Sequence, residues 1–250
     1  MITRKNPEQI ALMRKAGRVV AEMHERCASA AKPGATTLEI DQVARDVLSD
    51  RGARSNFLGY HGFPAVICTS PNDVIVHGIP SDDVVLEEGD IVSLDCGAII
   101  EGWHADAAIT VGVGEIDAES QKLIDVTRRS LEAAIDLVRV GHTLGDVGAA
   151  VQEVAEGGGY SVVREYVGHG IGTAMHEDPQ IPNYAGGPNQ RYKLKHGLVV
   201  AIEPMVNVGR AGTRTLADGW TVVTADGKRS AHFEHTIACT ENGPEVLTTF

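Results

Sequence analysis

Four carboxylates stand where this chain otherwise places hydrocarbon. Asp95 and Asp106 fall within VSLDCGAIIEGWHADAAI, residues 92–109, Glu203 within LVVAIEPM, and Glu234 within AHFEHTIAC. Each is surrounded by core-type residues, and a buried carboxylate without a partner is expensive. If residues 92–109 turn about Ile100 and Glu101, Asp95 and Asp106 lie opposite each other, with Cβ atoms about 4.5–5.5 Å apart. Carboxylates that close repel and raise each other's pKa unless a proton or a cation lies between them. Taken alone, the aspartates could share a proton, or a slip of register could turn one to solvent, and either glutamate could form an ion pair at a strand end. Four acids together are harder to dismiss, and His169 in EYVGHGIGTAMHEDP is a fifth candidate. Gly168, Gly170 and Gly172 around it disfavour a helix and suit an extended segment approached closely by backbone or ligand. They match neither the dinucleotide fingerprint nor a P-loop.

One imidazole and four carboxylates make a hard, oxygen-rich donor set that two divalent cations would neutralise. Such a set favours manganese, iron(II), cobalt or zinc in a paired site about 3.5–4 Å wide, with a bridging water acidified by both ions. That water is a nucleophile suited to amide hydrolysis, which also needs a base, a donor for the developing oxyanion and a contact for the leaving nitrogen. His77 in DVIVHGIP and His176 in TAMHEDP are candidates for the last two tasks.

The elements that must position these residues are readable in outline. Asn6 as N-cap, Pro7 at the first helical position, and Ile10, Met13, Val20 and Met23 predict a helix to about Ala31. A Thr36/Glu39 capping box opens a second helix that ends near Gly52, and strands follow in AVICT and DIVSLDCGAII. The next third repeats the order: a helix over about 120–140, a second helix in VGHTLGDVGAAVQEVAEGGGY, and a strand in SVVREYVGHGIG. Aligning the two helix starts matches Gly34 to Gly141, with a one-residue slip before Leu38 and Leu144. This implies two similar α+β halves sharing one sheet, with the site between them. The last segment reads as antiparallel strands with turns at Asp226-Gly227 and Asn242-Gly243.

Composition narrows the function classes. The 250 residues, 43% hydrophobic, suffice for a full core and carry a net charge of −12. That balance disfavours a protein that grips nucleic-acid phosphates through clustered lysine and arginine. No apolar run approaches the roughly 20 residues needed to span a bilayer, and the basic, soon amphipathic start lacks a signal-peptide block. A cytoplasmic location without membrane partners is expected. Cys27, Cys68, Cys96 and Cys239 are widely spaced and read as buried thiols rather than a disulfide framework or a zinc knuckle. His61, His104, His142 and His235 read as surface or supporting histidines, and SDDVVLEEGD as a solvated loop.

Along nearly its whole length the sequence resembles the type I methionine aminopeptidases of the pita-bread fold. The resemblance is carried by YHGFP, VHGIP, LDCG, WHADAA, GHGIG, HEDP, AIEP, DGW and FEHT in that order. It implies an α+β fold of two pseudo-symmetric halves around a curved antiparallel sheet with helices on its outer face, in one catalytic domain over residues 1–250. It further implies that Asp95, Asp106, His169, Glu203 and Glu234 bind two divalent ions (cobalt, manganese, iron(II) or zinc), with Asp106 and Glu234 bridging. Glu203 would also be the general base towards the bridging water, His77 would contact the scissile nitrogen, and His176 would polarise the carbonyl. Tyr60, Phe63, Cys68, His77, Met175 and Trp220 would build the pocket for a methionine side chain, alongside His176. The implied reaction is removal of the initiator methionine before a small second residue. Nascent polypeptide N-termini would be the substrate, with transient ribosome contact through the catalytic domain and a monomeric state.

The chain's shortness and the lack of a long insertion between His176 and Glu203 indicate type I. Absence of an N-terminal zinc-binding or basic extension matches the compact bacterial form. Met175 where an aromatic is often found, Phe57 where a cysteine can occur and His232 where glutamine or another polar residue is usual depart from the family pattern. Strand alternation puts His232 on the face of Glu234 and Thr236, either near the metals or towards solvent. Two other readings compete: a proline-directed relative, a prolidase or aminopeptidase P, which usually carries a large N-terminal domain, and a catalytically inactive pita-bread binding module for RNA or protein.

Overall fold

Helix α1, Pro7–Ala30, starts as its residues dictate: the Asn6 side chain accepts from Gln9 N–H, and the Gln9 side chain accepts from Asn6 N–H. Helix α2, Thr37–Asp50, opens on the expected Thr36/Glu39 capping box. The computed structural model describes residues 2–250. Helix α1 packs on a hairpin formed by strands Ile91–Ile100 and Trp103–Gly112, and α2 packs beside it against strand Ile67–Pro71 in the same core. Alternation along that hairpin sorts its two faces. Val92, Leu94, Cys96, Ala105 and Ala107 join Val20, Met23, Ile40 and Val47 in the core beneath the helices. Ser93, Asp95, Asp106 and Thr110 alternate with them and so point the other way.

The hairpin corrects the expected register. Its two-residue turn is Glu101–Gly102, both at positive φ (51° and 81°), so Asp95 pairs with Ala108 and Asp106 with Gly97. A turn of this primed type follows the twist of the strands and settles one residue later than the apolar pattern suggested. The pairing moves by two residues, so the aspartates stay on one face but stand diagonally rather than directly opposite.

In the second half α3, Ala118–Ile135, stops short of the expected end, and α4, Leu144–Gly157, begins at Thr143 with Asp146 completing its capping box. Gly34 and Gly141 both take positive φ (88° and 108°) two residues before these N-caps. The structural match between the helix starts therefore needs no slip: Gly34, Thr36 and Glu39 correspond to Gly141, Thr143 and Asp146. The helices α3 and α4 cover a five-stranded antiparallel sheet in the order Gly243–Val246, His235–Thr240, Val199–Ile202, Gly168–Gly170, Glu177–Ile181.

Backbone ladders tie the halves together. Ala108 and Glu234 exchange both backbone hydrogen bonds (3.2 and 2.8 Å). The Thr236 hydroxyl bonds to Asp106 N–H and carbonyl (3.0 and 2.7 Å), and the Thr110 hydroxyl does the same for His232. The two sequence-distant acids Asp106 and Glu234 are thereby fixed relative to each other.

Two strand expectations change. The segment SVVREYVGHGIG is not one strand: Ser161–Val162 pairs with Met205–Asn207, whereas Gly168–Gly170 pairs with Val199–Ile202. Residues 163–167 cross between the two sheets. Likewise the Asp226-Gly227 turn joins strands that part, Val222–Thr224 pairing with Val74–Val76 and Thr213–Thr215 while Ser230–His232 pairs with Met205–Asn207. The final hairpin turns at Glu241–Asn242, with Gly243 the first residue of the return strand. Among the described residues no helix is long and apolar enough to cross a membrane. Cys27, Cys68, Cys96 and Cys239 are buried and free.

Candidate metal centre and active site

Five strand segments converge on one cavity of about 190 Å³ at the junction of the halves. Asp95 and Asp106 come from the hairpin and His169 from Gly168–Gly170. Glu203 follows strand Val199–Ile202, and Glu234 sits in the break before His235–Thr240. The glycines around His169 let its strand pass between neighbours: a Cβ at Gly168 would collide with the Ala201 carbonyl, and one at Gly170 with that of Asp178. Gly172, further along the same run, is closed off by side chains instead.

Asp106, His169 and Glu234 each present a ligand atom within 4.8 Å of the others. His169 Nε2 lies 3.6 Å from Glu203 Oε1, and its Nδ1 is 2.9 Å from the Gly170 carbonyl. The carbonyl can only accept, so Nδ1 carries the proton and Nε2 offers its lone pair to the cavity. Burial lowers the His169 pKa to about 3, assisted by His176, so the ring is neutral and able to ligate.

The acids are under the opposite pressure. Burial raises the Asp95 pKa to about 7. It pushes Asp106 well above the carboxylate range, with Glu234 and Asp95 adding repulsion; Glu203 is raised by burial and then by Asp95 and Asp106, and Glu234 by burial and then by Glu203 and Asp95. Asp95 Oδ1, Asp106 Oδ1 and Glu234 Oε1 are buried without a hydrogen-bond partner among the described residues. Unpartnered buried oxygens on mutually repelling acids are what a cation would satisfy. The donor set therefore fits a divalent metal.

Two histidines face this centre. The His176 ring meets His169 edge-on with ring centroids 4.2 Å apart, and its Nδ1 is 2.7 Å from the Tyr60 hydroxyl. Burial lowers the His176 pKa and raises that of Tyr60, so both are neutral near pH 7. His77 is held at φ 61°, an uncommon conformation for a residue with a side chain. Its ring lies edge-on to Tyr166 (5.6 Å) and Trp220 (6.3 Å), and burial, then His176, lowers its pKa to about 4.

The other wall is apolar. Phe63 packs edge-on against Phe57 (6.5 Å) and Trp220 (5.1 Å), and Cys68 and Met175 complete the cluster with Tyr60. All the site residues predicted from sequence line this one cavity. Phe57, Tyr166 and Val167 line it as well. Tyr166 and Val167 were not anticipated, because they belong to the irregular crossover at 163–167. His232 does not line the cavity and does not face solvent. It is buried behind Thr110, with burial lowering its pKa to about 3 and its Nε2 without a partner among the described residues. His61 is exposed against the Tyr60 ring, and His235 bonds to the Thr248 hydroxyl.

A stability prediction follows from the raised acids. Between their ordinary values and their folded ones the folded chain holds more protons than the unfolded chain, so stability is lost as pH rises through the folded pKa values. The buried histidines act in the opposite sense, but only below their ordinary value of 6.5. Metal-free protein should therefore melt at progressively lower temperature from pH 6.5 to 8.5, and a saturating divalent cation should remove that decline. Equal slopes with and without metal, in calorimetric scans, would contradict a cation site at these acids.

Residues 11–241 match the model of metallopeptidase family M24. The chain is 51% identical over 248 residues to a methionine aminopeptidase of Clostridium acetobutylicum, covering 99% of each chain. It is 50% identical to methionine aminopeptidase 1 of Bacillus subtilis, again covering 99% of each. Its fold superposes on the crystal structure of methionine aminopeptidase from Thermotoga maritima with a TM-score of 0.97 at 44% identity, covering 100% of both chains. Prolidase from Pyrococcus furiosus shares the fold at a TM-score of 0.78 and 22% identity, with 99% of this chain covering 65% of that one.

Proposed function

This chain belongs to metallopeptidase family M24, and from that premise we propose that it removes the initiator methionine from proteins and peptides whose second residue is small. The observation that carries the reading is the meeting, in one cavity, of a buried carboxylate–imidazole centre and an apolar slot containing Cys68 and Met175. As a metallopeptidase it uses divalent metal. Asp95, Asp106, His169, Glu203 and Glu234 would hold two ions of cobalt, manganese, iron(II) or zinc. Ions held there would acidify water and polarise the scissile carbonyl.

The remaining work falls to the chain. Glu203, its proton affinity raised by burial, takes the proton from the attacking water. His176 donates from Nε2 to the oxygen that gains charge. Tyr60 supports that role by donating a hydrogen bond from its hydroxyl to Nδ1, which keeps the imidazole's single proton on Nε2. His77 meets the scissile nitrogen and settles it as it leaves. Tyr60, Phe63, Cys68, His77, Met175 and Trp220 enclose an unbranched thioether, which favours sulfur against aromatic edges and a dry wall.

On this reading residues 1–250 act as one catalytic domain, a monomer in the cytoplasm, meeting nascent N-termini at the ribosome through the catalytic domain itself. Identity of about half to the methionine aminopeptidases, against 22% to a prolidase, supports methionine over an Xaa-Pro bond. Initial rates on Met-Ala-Ser and on Xaa-Pro peptides test this. Methionine release should be the faster, and faster cleavage before proline would sink the proposal.

A further inference from the structure

Lysine is seldom buried unless it is paired, and Lys5 is 4% exposed in its side chain, far in sequence from every residue of the cavity. Its ammonium donates to Glu177 Oε2 (2.7 Å) and to the Thr3 hydroxyl (2.7 Å), and that hydroxyl donates to the same carboxylate oxygen (2.6 Å). Glu177 directly follows His176. Its other oxygen, Oε1, accepts from Thr173 N–H (2.9 Å) and Ala174 N–H (3.4 Å), closing the turn that carries Met175 and His176. We propose that residues Thr3–Lys5 form a tether which, through Glu177, positions His176 and Met175 in the cavity. The functional part of this inference rests on the reading of His176 given above.

The seat of the tether is built closely. Lys5 N–H donates to the Gly197 carbonyl (2.6 Å). A Cβ at Gly197 would lie 2.5 Å from the Lys5 carbonyl oxygen, and one at Gly172 would lie 2.5 Å from both Lys5 Cε and Glu177 Oε1. His104 N–H holds the Gly172 carbonyl (2.9 Å), and Gly172 N–H meets the Ala174 carbonyl (3.1 Å). Although burial pushes the Glu177 carboxyl up, the bonds from Lys5 and Thr3 bring it below its usual range, so it is ionised and able to accept from the turn. His176 is thus fixed from two sides, by Tyr60 on its ring and by Glu177 through the turn amides of Thr173 and Ala174 that precede it. Lys5 and Thr3 touch neither ring nor cavity, so they are positioning residues.

Displacement of a reacting group by about 1 Å can cost about 100-fold in rate. Lys5→Met should therefore lower kcat by about tenfold or more with KM changed less than about threefold. The amides of residues 172–176 should exchange with deuterium faster. Lys5→Arg, which keeps the charge, should restore turnover to within about threefold. If Lys5→Met does not fold because Glu177 is left without a partner, the neutral pair Lys5→Met/Glu177→Gln gives the same readouts. Turnover within about twofold of the parent, or amide exchange at 172–176 unchanged, would overturn the tether. The exchange measurement does not depend on activity, so a parent chain that releases no methionine would count against the proposed function and leave the tether to be judged on exchange.

Discussion

Glu203→Gln should fold and yet turn over at least about 100-fold more slowly than the parent, since loss of a general base typically costs 10²–10⁴. Glutamine keeps the shape but can neither take a proton nor bring a negative charge to a cation. Glu203 stands 3.6 Å from His169 Nε2 and shares its repulsion with Asp95 and Asp106, so one substitution weakens both proton transfer and metal affinity. The same change relieves a crowded set of buried acids when metal is absent. The metal-free variant should therefore melt no lower than the metal-free parent. Steady-state kinetics at saturating metal, with melting curves of both stripped proteins, check the pair of outcomes. Turnover within tenfold of the parent would reject Glu203 as the base.

His176→Ala carries the second large effect. Loss of one donor to a developing oxyanion costs about 10²–10³ in turnover. The contact strengthens only as charge develops, so kcat should fall by that amount while KM moves by no more than a few-fold. The loss is specific to the imidazole: the Tyr60 hydroxyl, 2.7 Å from Nδ1, is too far back to take over the Nε2 side. A pure rise in KM would instead make His176 a residue of ground-state binding.

How much of this was legible in sequence depends on how local the determining physics is. Helix starts were readable where capping is decided within four residues, as at the Asn6 N-cap and the Thr36–Glu39 box, whereas the equivalent box at Thr143–Asp146 was passed over for an alignment with a one-residue slip. The acids of the centre stood out because carboxylates inside strand-like apolar runs violate the ordinary pattern, and such conflicts mark functional positions. Register was less secure. The turn at Glu101–Gly102 uses positive φ at a glutamate, which composition does not announce, and it moved the pairing of Asp95 and Asp106 by two residues while leaving them on one face.

Other features lie beyond local signals. Tyr166 and Val167 reach the cavity only because residues 163–167 leave one sheet for another, and an unbroken strand pattern hides such a crossover. Val222–Thr224 and Ser230–His232 part for the same reason. The burial of His232 is set by Thr110 from the opposite half, and the bond between Lys5 and Glu177 joins residues 172 positions apart. In each case the partner is chosen by tertiary packing, and no spacing within either segment reports it.

The central claim is that the buried acids and His169 hold metal for methionine release. Its most direct test is free methionine produced from Met-Ala-Ser by chelator-stripped protein, with manganese, cobalt, iron(II) or zinc added back singly. The expected result is no release from the stripped protein and restoration by at least one of these ions. Folded protein that releases no methionine with any of them would contradict the account and point to a pita-bread domain that binds without catalysing.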